Sequence, residues 1–378
     1  MRSILDTDLY ELTMGQAVLK KFPYAQAEYS FFNRRLKQQI TREMADRIHK
    51  KILACQDLAL TDYEANFLLV RCPYLQPWYV DWLRQFRLNA KHVTIYNSPT
   101  FSIDIKGPWC ETIYWEVPIL AIITEEIMLT QGVEVNLETQ SIIARNKMAM
   151  LSDHACLFAE FGTRRRYSYE VQDAVLSNLR CASLLGTSNV HLAHKYDLKP
   201  IGTMAHEWIQ AISGLVGLRH ANKFALEAWN DVYGGDLGIA LSDTFTSEAF
   251  FKDFDGSMSR MFDGVRHDSG NPMEFARRVI AHYTKLRINP FTKQIVFSDS
   301  LNVRKCIELA DALRGKIQVS FGIGTHLTND VPSTIPANIV IKLIAIDGIP
   351  VIKLSDDPGK AIGDPKAINV AKWTFGIA

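Results

Sequence analysis

The stretch ACLFAEFGTRRR, residues 155–166, joins a short apolar run to a loop of small and basic residues. An apolar run followed by a loop of small, polar or charged residues occurs six more times before residue 330, and a helical pattern follows most of the loops. The β-like runs are ACLFAEF, CASLL, KPI, LGIAL, FDGV, QIVF and IQVSF, and the loops are GTRRR (162–166), GTSN (186–189), GTMAHEW (202–208), SDTFT (242–246), RHDSG (266–270), SDS (298–300) and GIGTHLT (322–328). Strand, polar loop and helix in series predict parallel βα units, whose ligand site lies at the carboxyl ends of the strands.

The bulk composition sets limits on the class of protein. The 378 residues are enough for a full α/β barrel or for two domains with cores of their own. Hydrophobic residues make up 47% and charged residues 22%, which is typical of a soluble globular chain. The net charge of +1 argues against binding nucleic acid through overall charge, although it allows a local basic pocket.

Cysteine usage and the N-terminal sequence both favour the cytoplasm. The six cysteines include no CxxC pair, which fits a reducing compartment and predicts neither a zinc site nor a disulfide framework. Residues 1–13 carry acids where a signal peptide would carry a basic segment and an apolar core. The apolar run VPILAII (117–123) is far too short to span a bilayer. We therefore expect a cytoplasmic globular protein without a membrane partner.

The pattern along the chain divides into three parts. Residues 1–135 are predicted to form an N-terminal α/β domain, and residues 136–345 a (β/α) barrel that carries the chemistry. Residues 346–378 are expected to form a C-terminal segment that packs back on the N-terminal domain. The fold class is therefore α/β.

Capping and turn residues predict individual elements. Asp6 and Thr7 are expected to cap a helix through about Lys20, and Asn271 with Pro272 to begin a helix through about residue 286. A strand is predicted at AEYSFF (27–32), and helices are predicted within roughly 40–90, over 115–128 and over 301–313, the last closed by Gly315. Two hairpins are predicted: VTIYN (93–97) with FSIDI (101–105) around an Asn-Ser-Pro turn, and NIVIKLIAI (338–346) with IPVIKLS (349–355) joined by Asp347-Gly348.

Two of the loops suit an anion. Three arginines at the start of a helix oppose the positive end of its dipole, so the GTRRR loop is poorly arranged for stability alone. Arginine forks and free helix N–H groups both suit phosphate, whereas the alternative is a solvated basic turn with acidic neighbours. The GIGTHLT loop is either a phosphate cradle or a tight turn.

His206, in the GTMAHEW loop, lies directly after a predicted strand end. It could be a general acid, a metal ligand or a nucleophile that accepts a phosphoryl group, and the alternative is a histidine that caps its own helix. Asp243 and Asp268 follow other strands and could hold one imidazole nitrogen while leaving the other free. A metal hydrolase is disfavoured, because there is no HxH pair and His191 and His194 lie on an ordinary helix face.

Other strand-end residues suit a small anionic or hydroxylated ligand. Arg266 could grip a carboxylate, while Asp268 and the pair Ser298 and Asp299 could bind ribose hydroxyls. Phe161 and Tyr10 could stack on a flat ring. Taken singly, each of these residues is also compatible with a cap, a turn or the core.

In combination and in this order, the motifs closely resemble nicotinate phosphoribosyltransferase. The resemblance runs from TDLYELTM (7–14) to KLSDDPGK (353–360) and includes FGTRRR, GTSN, GTMAHEW, RHDSG, FSDSLN and SFGIGTHLT. It implies a cytoplasmic, homodimeric enzyme of NAD salvage that joins nicotinate to 5-phosphoribosyl 1-diphosphate with coupled ATP hydrolysis. The implied fold is an irregular (β/α) barrel of the phosphoribosyltransferase type with an N-terminal α/β domain.

The resemblance also implies roles for individual residues. His206 would be transiently phosphorylated by ATP, and Asp243 and Asp268 would orient it. Arg266 would hold the nicotinate carboxylate, which a nicotinamide-specific site would not need. Phe161 and Tyr10 would lie on either side of the pyridine ring, with Tyr10 reaching across from a second subunit. Arg164 and Arg165 would contact phosphate groups, and Asp299 would lie near the ribose. The 5-phosphate would be bound by Gly322, Gly324 and Thr325, and Thr187 and Ser298 would contact the substrate elsewhere. Mg²⁺ is expected to accompany the diphosphate, and its protein ligands are not identified.

One position departs from the family pattern. The family usually reads DSGDP, whereas this chain has Asn271 before Pro272, and the tail after Lys366 is short. Asn and Asp are nearly equal as helix N-caps, so the helix should form, but a role of the carboxylate in a phosphate or Mg²⁺ network would be lost. Asn271 and the short tail favour the alternative of a catalytically silent relative that binds metabolites. A second alternative is the same chemistry on nicotinamide, against which Arg266 argues.

Overall fold

The computed structural model describes residues 1–34, 39–97, 100–179 and 181–377. Within these ranges, no helix combines the length and apolar character needed to cross a bilayer. The helices are α1 (Leu9–Lys21), α2 (Arg42–Ala54), α3 (Asp62–Arg71), α4 (Pro77–Gln85), α5 (Trp109–Thr112), α6 (Glu116–Leu129), α7 (Leu137–Asp153), α8 (Tyr169–Asn178), α9 (Val190–Tyr196), α10 (His206–Val216), α11 (Ala221–Tyr233), α12 (Ser247–Asp253), α13 (Gly256–Met261), α14 (Pro272–Lys285), α15 (Val303–Leu313), α16 (Thr325–Thr328) and α17 (Pro365–Phe375). The strands are β1 (Gln26–Asn33), β2 (Val93–Tyr96), β3 (Ser102–Pro108), β4 (Phe158–Glu160), β5 (Leu184–Thr187), β6 (Ile239–Leu241), β7 (Gly264–His267), β8 (Gln294–Phe297), β9 (Gln318–Ile323), β10 (Ile339–Ile346) and β11 (Ile349–Pro350).

A parallel sheet in the order β5-β4-β9-β8-β7-β6 confirms the predicted series of βα units. The predicted strand at KPI is wrong, since Pro200 makes only a single parallel bridge to Thr187. The physical reason is that proline has no backbone N–H to donate to a ladder. Thr203, three residues later, donates its hydroxyl to the Ile239 carbonyl at 3.4 Å, so this segment contacts both edge strands, β5 and β6.

An antiparallel sheet in the order β11-β10-β1-β3-β2 joins the two ends of the chain. Both predicted hairpins are present, although Ser98 and Pro99 of the first turn lie outside the described residues. In the second hairpin, Asp347 and Gly348 both have positive φ (49° and 75°), as a type I′ turn requires. Strand β10 pairs with β1 along its length, so the domain boundary expected at 345 falls inside a strand of the N-terminal sheet.

The C-terminal segment divides between the two sheets. Strand β11 extends the antiparallel sheet, whereas α17 contacts the parallel-sheet unit. The Phe375 ring stacks on Phe245 with centroids 5.0 Å apart, and Lys252 donates to the Phe375 carbonyl at 3.1 Å. Residues 346–378 therefore do not pack on the N-terminal domain alone.

The predicted helix caps have mixed outcomes. Asn271 accepts the backbone N–H groups of Met273 and Glu274 at 3.0 and 3.1 Å, which confirms the cap of α14. The expected cap of α1 by Asp6 and Thr7 is wrong: Asp8 is the N-cap residue and its side chain makes no cap hydrogen bond. Thr7 instead donates its hydroxyl to the buried Glu11 carboxyl, and Asp6 pairs with an arginine.

That arginine is Arg166, the last residue of the GTRRR loop. Its two terminal nitrogens contact the Asp6 carboxylate at 2.6 and 3.0 Å, and its Nε donates to Glu125 at 3.1 Å. Burial raises the pKa of Asp6, but Arg166 outweighs it and lowers the pKa to about 2. The three arginines precede helix α8, which begins at Tyr169. The third has acidic neighbours, as the alternative of a solvated basic turn expected, but it is fully buried and not solvated.

Replacing Arg166 with methionine should lower the free energy of unfolding by about 3–5 kcal/mol, because a buried carboxylate would lose its partner. Urea denaturation of Arg166→Met and the parent chain measures this difference. Arg304→Met is the matched control: Arg304 pairs with Glu308 at the surface, and such pairs contribute less than about 1 kcal/mol. An equal loss in both variants would contradict a central role for the buried pair.

The stabilisation that the Asp6–Arg166 ion pair provides depends on pH. Because the folded pKa of Asp6 is about 2 against an ordinary 3.8, its stabilisation is fully present above pH 3.8. The stabilisation is lost as the pH falls through about 2. The difference between Arg166→Met and the parent chain should therefore shrink in that window.

Candidate active site

A cavity of about 690 Å³ lies where the carboxyl ends of the parallel strands face the antiparallel sheet. Strand β10 contributes residues 340–343 to one wall, and loops after the parallel strands contribute to the other. The residues proposed from sequence that line it are Tyr10, Phe161, Arg164, Arg165, His206, Arg266, Asp268, Ser298, Asp299, Gly322, Gly324 and Thr325. The serial loops thus meet in one place.

Two of the proposed residues do not line the cavity. Asp243 is buried and touches the cavity only through His206 and its neighbours. Thr187 donates its hydroxyl to Glu160 at 2.6 Å and accepts the Asn189 backbone N–H at 3.0 Å. Its side chain therefore supports the GTSN loop from within the protein.

His206 is the first residue of α10, and two acids approach it from neighbouring strand ends. Asp243, after β6, has Oδ1 2.7 Å from His206 Nε2, and Asp268, after β7, has Oδ2 3.6 Å from the same nitrogen. The convergence predicted for these three residues is present.

Lys353 is a fourth member of this group, and sequence reasoning gave it no role. Its Nζ lies 2.8 Å from His206 Nε2 and 3.0 Å from Asp243 Oδ2. Burial lowers the pKa of His206, and Lys353 lowers it further, against the opposing effect of Asp243. Burial raises the pKa of Asp243, but His206 and Lys353 outweigh it and hold this pKa well below its usual range. The imidazole is therefore neutral and the carboxylate ionised at neutral pH.

The same group has some features of a metal site. Ligand atoms of His206, Asp243 and Asp268 lie within 4.8 Å of one another, which is the spacing of a possible ion site. However, the Lys353 ammonium contacts two of the three and already supplies the positive charge. A divalent cation beside it would meet like-charge repulsion, so these residues do not fit a metal.

Two serine hydroxyls hold the acids in place. Ser269 donates to Asp243 Oδ2 at 2.5 Å and accepts the Asp356 backbone N–H at 3.1 Å. Ser298 donates to Asp268 Oδ1 at 2.6 Å. Ser298 thus lines the cavity, but its hydroxyl already donates its hydrogen bond to Asp268.

Arg266 has unused hydrogen-bonding capacity. One terminal nitrogen donates to the Met204 carbonyl at 3.3 Å, and the other lies 3.9 Å from Asp268 Oδ2. Its buried Nε has no hydrogen-bond partner within the described part of the chain. Arg266 lines the cavity and is only partly buried, and its terminal nitrogens keep donor capacity that suits an incoming carboxylate.

Tyr10 and Arg164 are tied together through Glu116. The Tyr10 hydroxyl donates to Glu116 Oε2 at 2.9 Å, and Arg164 donates to Glu116 Oε1 at 3.2 Å. The Arg164 guanidinium lies 5.8 Å from the centre of the Tyr10 ring. Tyr10 therefore lines the cavity of its own chain.

Cationic side chains dominate another part of the cavity. Burial and the neighbouring Arg164 lower the pKa of Arg165 to about 10. Burial, Arg34 and Lys353 lower the pKa of Lys342 to about 7. Each cation thus makes its neighbour harder to charge, and an anion in the cavity would relieve this.

Lys342 and Lys360 are further cavity residues that sequence reasoning did not assign. Lys360 donates to Asp299 at 2.8 Å, so the carboxylate predicted to lie near ribose is ion-paired. Two signals in the sequence could have found these lysines: KLSDDPGK ends on Lys360, and NIVIKL places Lys342 among apolar residues of a strand.

The glycines of GIGTHLT have a steric reason to be glycine. A Cβ atom at Gly322 would overlap the Phe161 ring, and one at Gly324 would lie 2.9 Å from the Phe161 carbonyl oxygen. The GIGTHLT loop therefore packs directly on the FGTRRR loop, with Thr325 at the cavity wall.

The position at which the chain departs from the family's DSGDP lies outside the set of residues that line the cavity. Asn271 is exposed, caps α14 and does not line the cavity. Its placement removes the main sequence observation that favoured a catalytically silent relative.

Comparison with known proteins identifies the family of the chain. The sequence model of the nicotinate phosphoribosyltransferase (NAPRTase) family matches residues 156–378, and that of its N-terminal domain matches residues 5–124. A nicotinate phosphoribosyltransferase of Methanosarcina mazei is 47% identical over 402 residues, which cover 100% of this chain and 98% of the relative. One of Chromohalobacter salexigens is 46% identical, with the same coverage.

Solved structures agree with the sequence relatives. The crystal structure of nicotinate phosphoribosyltransferase from Porphyromonas gingivalis superposes with a TM-score of 0.97 at 41% identity, covering 100% of both chains. A putative nicotinate phosphoribosyltransferase from Saccharomyces cerevisiae superposes with a TM-score of 0.95 at 34% identity, covering 100% of this chain and 99% of the other. The chain therefore belongs to the nicotinate phosphoribosyltransferase family.

Proposed function

We propose that this protein joins nicotinate to 5-phosphoribosyl 1-diphosphate and couples the reaction to ATP hydrolysis through a phosphohistidine at His206. The observation that carries the proposal is the contact of His206 with Asp243 and Lys353 at the edge of a cation-rich cavity. The products are nicotinate mononucleotide and diphosphate, together with ADP and phosphate.

In the transfer step, the pyridine nitrogen of nicotinate forms a bond to C1 of the ribose, and the bond from C1 to the diphosphate oxygen breaks. Negative charge then collects on the leaving diphosphate. Arg165 and Lys342 line the cavity, and a preorganised cluster of cations stabilises such a leaving group. Arg266 receives the nicotinate carboxylate, and Phe161 and Tyr10 offer rings for the pyridine to stack on.

In the coupling step, His206 attacks the γ-phosphorus of ATP, ADP leaves, and water later cleaves the nitrogen–phosphorus bond to release phosphate. A neutral imidazole has the lone pair that this attack needs, since its pKa is lowered by burial and by Lys353. In the reactive tautomer Nε2 carries the proton and donates it to Asp243, which leaves the lone pair on Nδ1 as the phosphoryl acceptor. Lys353 lies beside this pair and contacts the second oxygen of Asp243. The added negative charge lies beside the cations that receive diphosphate, which couples the two steps.

Three further features of the proposed function rest on the family resemblance. Mg²⁺ enters with the diphosphate and ATP, as part of the substrates. The protein acts as a homodimer, in which Tyr10 serves the cavity of its own chain in addition to any contact across the interface. It acts in the cytoplasm.

Purified protein given nicotinate, 5-phosphoribosyl 1-diphosphate and Mg²⁺ should form nicotinate mononucleotide and diphosphate, and ATP should raise the rate. Chromatography of the mononucleotide, with a parallel assay of phosphate release, measures both. Product without any response to ATP would remove the coupling but keep the transfer. No product in either condition would sink the proposed activity.

His206→Ala should abolish acid-labile labelling of the protein by γ-labelled ATP, because the proposed phosphoryl acceptor is gone. His154→Ala is a matched control, since His154 is about half exposed and lies outside the cavity. Undiminished labelling of His206→Ala would move the acceptor to another residue.

Arg266→Ala should raise the KM for nicotinate by roughly 10- to 100-fold, because a hydrogen bond to a charged group contributes about 1.5–3 kcal/mol. The KM for the phosphoribosyl donor should change much less. Arg277→Ala, an exposed arginine on α14, is the control. A parent protein that prefers nicotinamide over nicotinate in direct competition would favour the nicotinamide alternative instead.

A further inference from the structure

The residue after His206 connects the histidine to the other sheet. Helix α10 begins at His206, and its N-cap residue, Ala205, provides no side-chain hydrogen bond. Glu207 instead accepts two hydrogen bonds on one oxygen, Oε1: from the Tyr29 hydroxyl of β1 and from the Trp109 indole N–H of α5, each at 2.6 Å. The first turn of α10 is therefore held from outside the helix.

Aromatic packing supports the same attachment. Trp208, which follows Glu207, stacks on Trp109 with ring centroids 5.9 Å apart and an interplanar angle of 29°. Both rings are fully buried. Two consecutive residues of α10 thus contact α5, while His206 contacts the acids at the parallel strand ends.

Glu207 is suited to this role as an uncharged group. Burial raises its pKa to about 8, which outweighs the opposing effects of Tyr29 and Trp109. Its side chain is almost fully buried, and no lysine, arginine or histidine forms an ion pair with it within the described residues. At neutral pH the side chain is therefore mainly a carboxylic acid whose Oε1 accepts two hydrogen bonds.

We propose that Glu207 is a positioning residue: its hydrogen bonds to Tyr29 and Trp109 fix the first turn of α10 and so hold His206 between Asp243 and Lys353. The inference deepens the proposed function and rests on the role of His206 in it. The competing role is an ionised carboxylate that acts on a substrate, since Glu207 also lines the cavity.

The two roles differ in what they predict for Glu207→Gln. An amide oxygen can accept the same two hydrogen bonds, so the variant should keep the parent rate of labelling from γ-labelled ATP. Glu207→Ala should lose roughly 100-fold in labelling rate and in kcat, since small displacements of a reacting group have effects of this size. The KM values for nicotinate and for the phosphoribosyl donor should change little in either variant.

A tyrosine pair tests the contact from its other side without changing Glu207. Tyr29→Phe removes one donor to Oε1 and should slow labelling roughly tenfold. Tyr233→Phe is the matched control, because the buried Tyr233 hydroxyl donates to the Thr13 backbone and not to α10. Thermal denaturation of all variants shows whether each one folds, and Tyr29→Phe keeps the test open if Glu207→Ala does not.

The outcomes separate the inference from the function on which it rests. If the parent protein takes no label from γ-labelled ATP, the phosphohistidine is wrong, and the positioning of a phosphoryl acceptor by Glu207 is wrong with it. A labelled parent with an inactive but folded Glu207→Gln would show that the ionised carboxylate is needed. Folded Glu207→Ala or Tyr29→Phe that takes label at the parent rate would equally overturn the positioning role.

Discussion

The buried ion pair between Asp6 and Arg166 is the contact on which the arrangement of the site depends. It joins the segment before α1 to the GTRRR loop, and Asn189 of the GTSN loop donates to the same Asp6 carboxylate at 2.9 Å. Because the guanidinium and the carboxylate have no exposed area, this geometry cannot relax toward water. Arg164 and Arg165 are thereby set at the cavity wall.

The cavity needs both sheets, and therefore both ends of the chain. Parallel strands bring their carboxyl ends to one edge, which accounts for the meeting of Asp243, Asp268 and Arg266. The opposite wall comes from β10, which pairs with β1 across more than three hundred residues of sequence. Lys353 follows the hairpin formed by β10 and β11, so the partner of His206 arrives from the antiparallel side.

What could be predicted from sequence depended on how local the cause was. Caps and turns rest on nearest neighbours, so Asn271 and the Asp347-Gly348 turn were identified correctly. Strand ends rest on periodicity, so the convergence of Asp243 and Asp268 on His206 followed once the units were taken as parallel. The expected cap by Asp6 failed because a distant arginine offered that carboxylate a stronger partner.

Pairings between distant elements give no cap, turn or periodic pattern in the sequence from which they could be predicted. Nothing near Arg166 distinguishes it from Arg164 and Arg165, and only the fold decides that one is buried against Asp6 while the others face the cavity. The contact of Lys353 with His206 spans 147 positions in sequence. The direct links of Glu207 to Tyr29 and Trp109 span 178 and 98 positions. No pattern with a helical or strand period can reveal contacts of this kind.

The identity of the cation beside His206 has a consequence for the proposed chemistry. A metal ion in that position would compete for the imidazole lone pair, which phosphoryl transfer requires. An ammonium on a flexible stem does not bind this lone pair when it is paired with Asp243, and it can pair with the phosphoryl group once the ring carries it. Lys353 thus suits a histidine that gains and loses negative charge, and its contact with Asp243 keeps it near in both states.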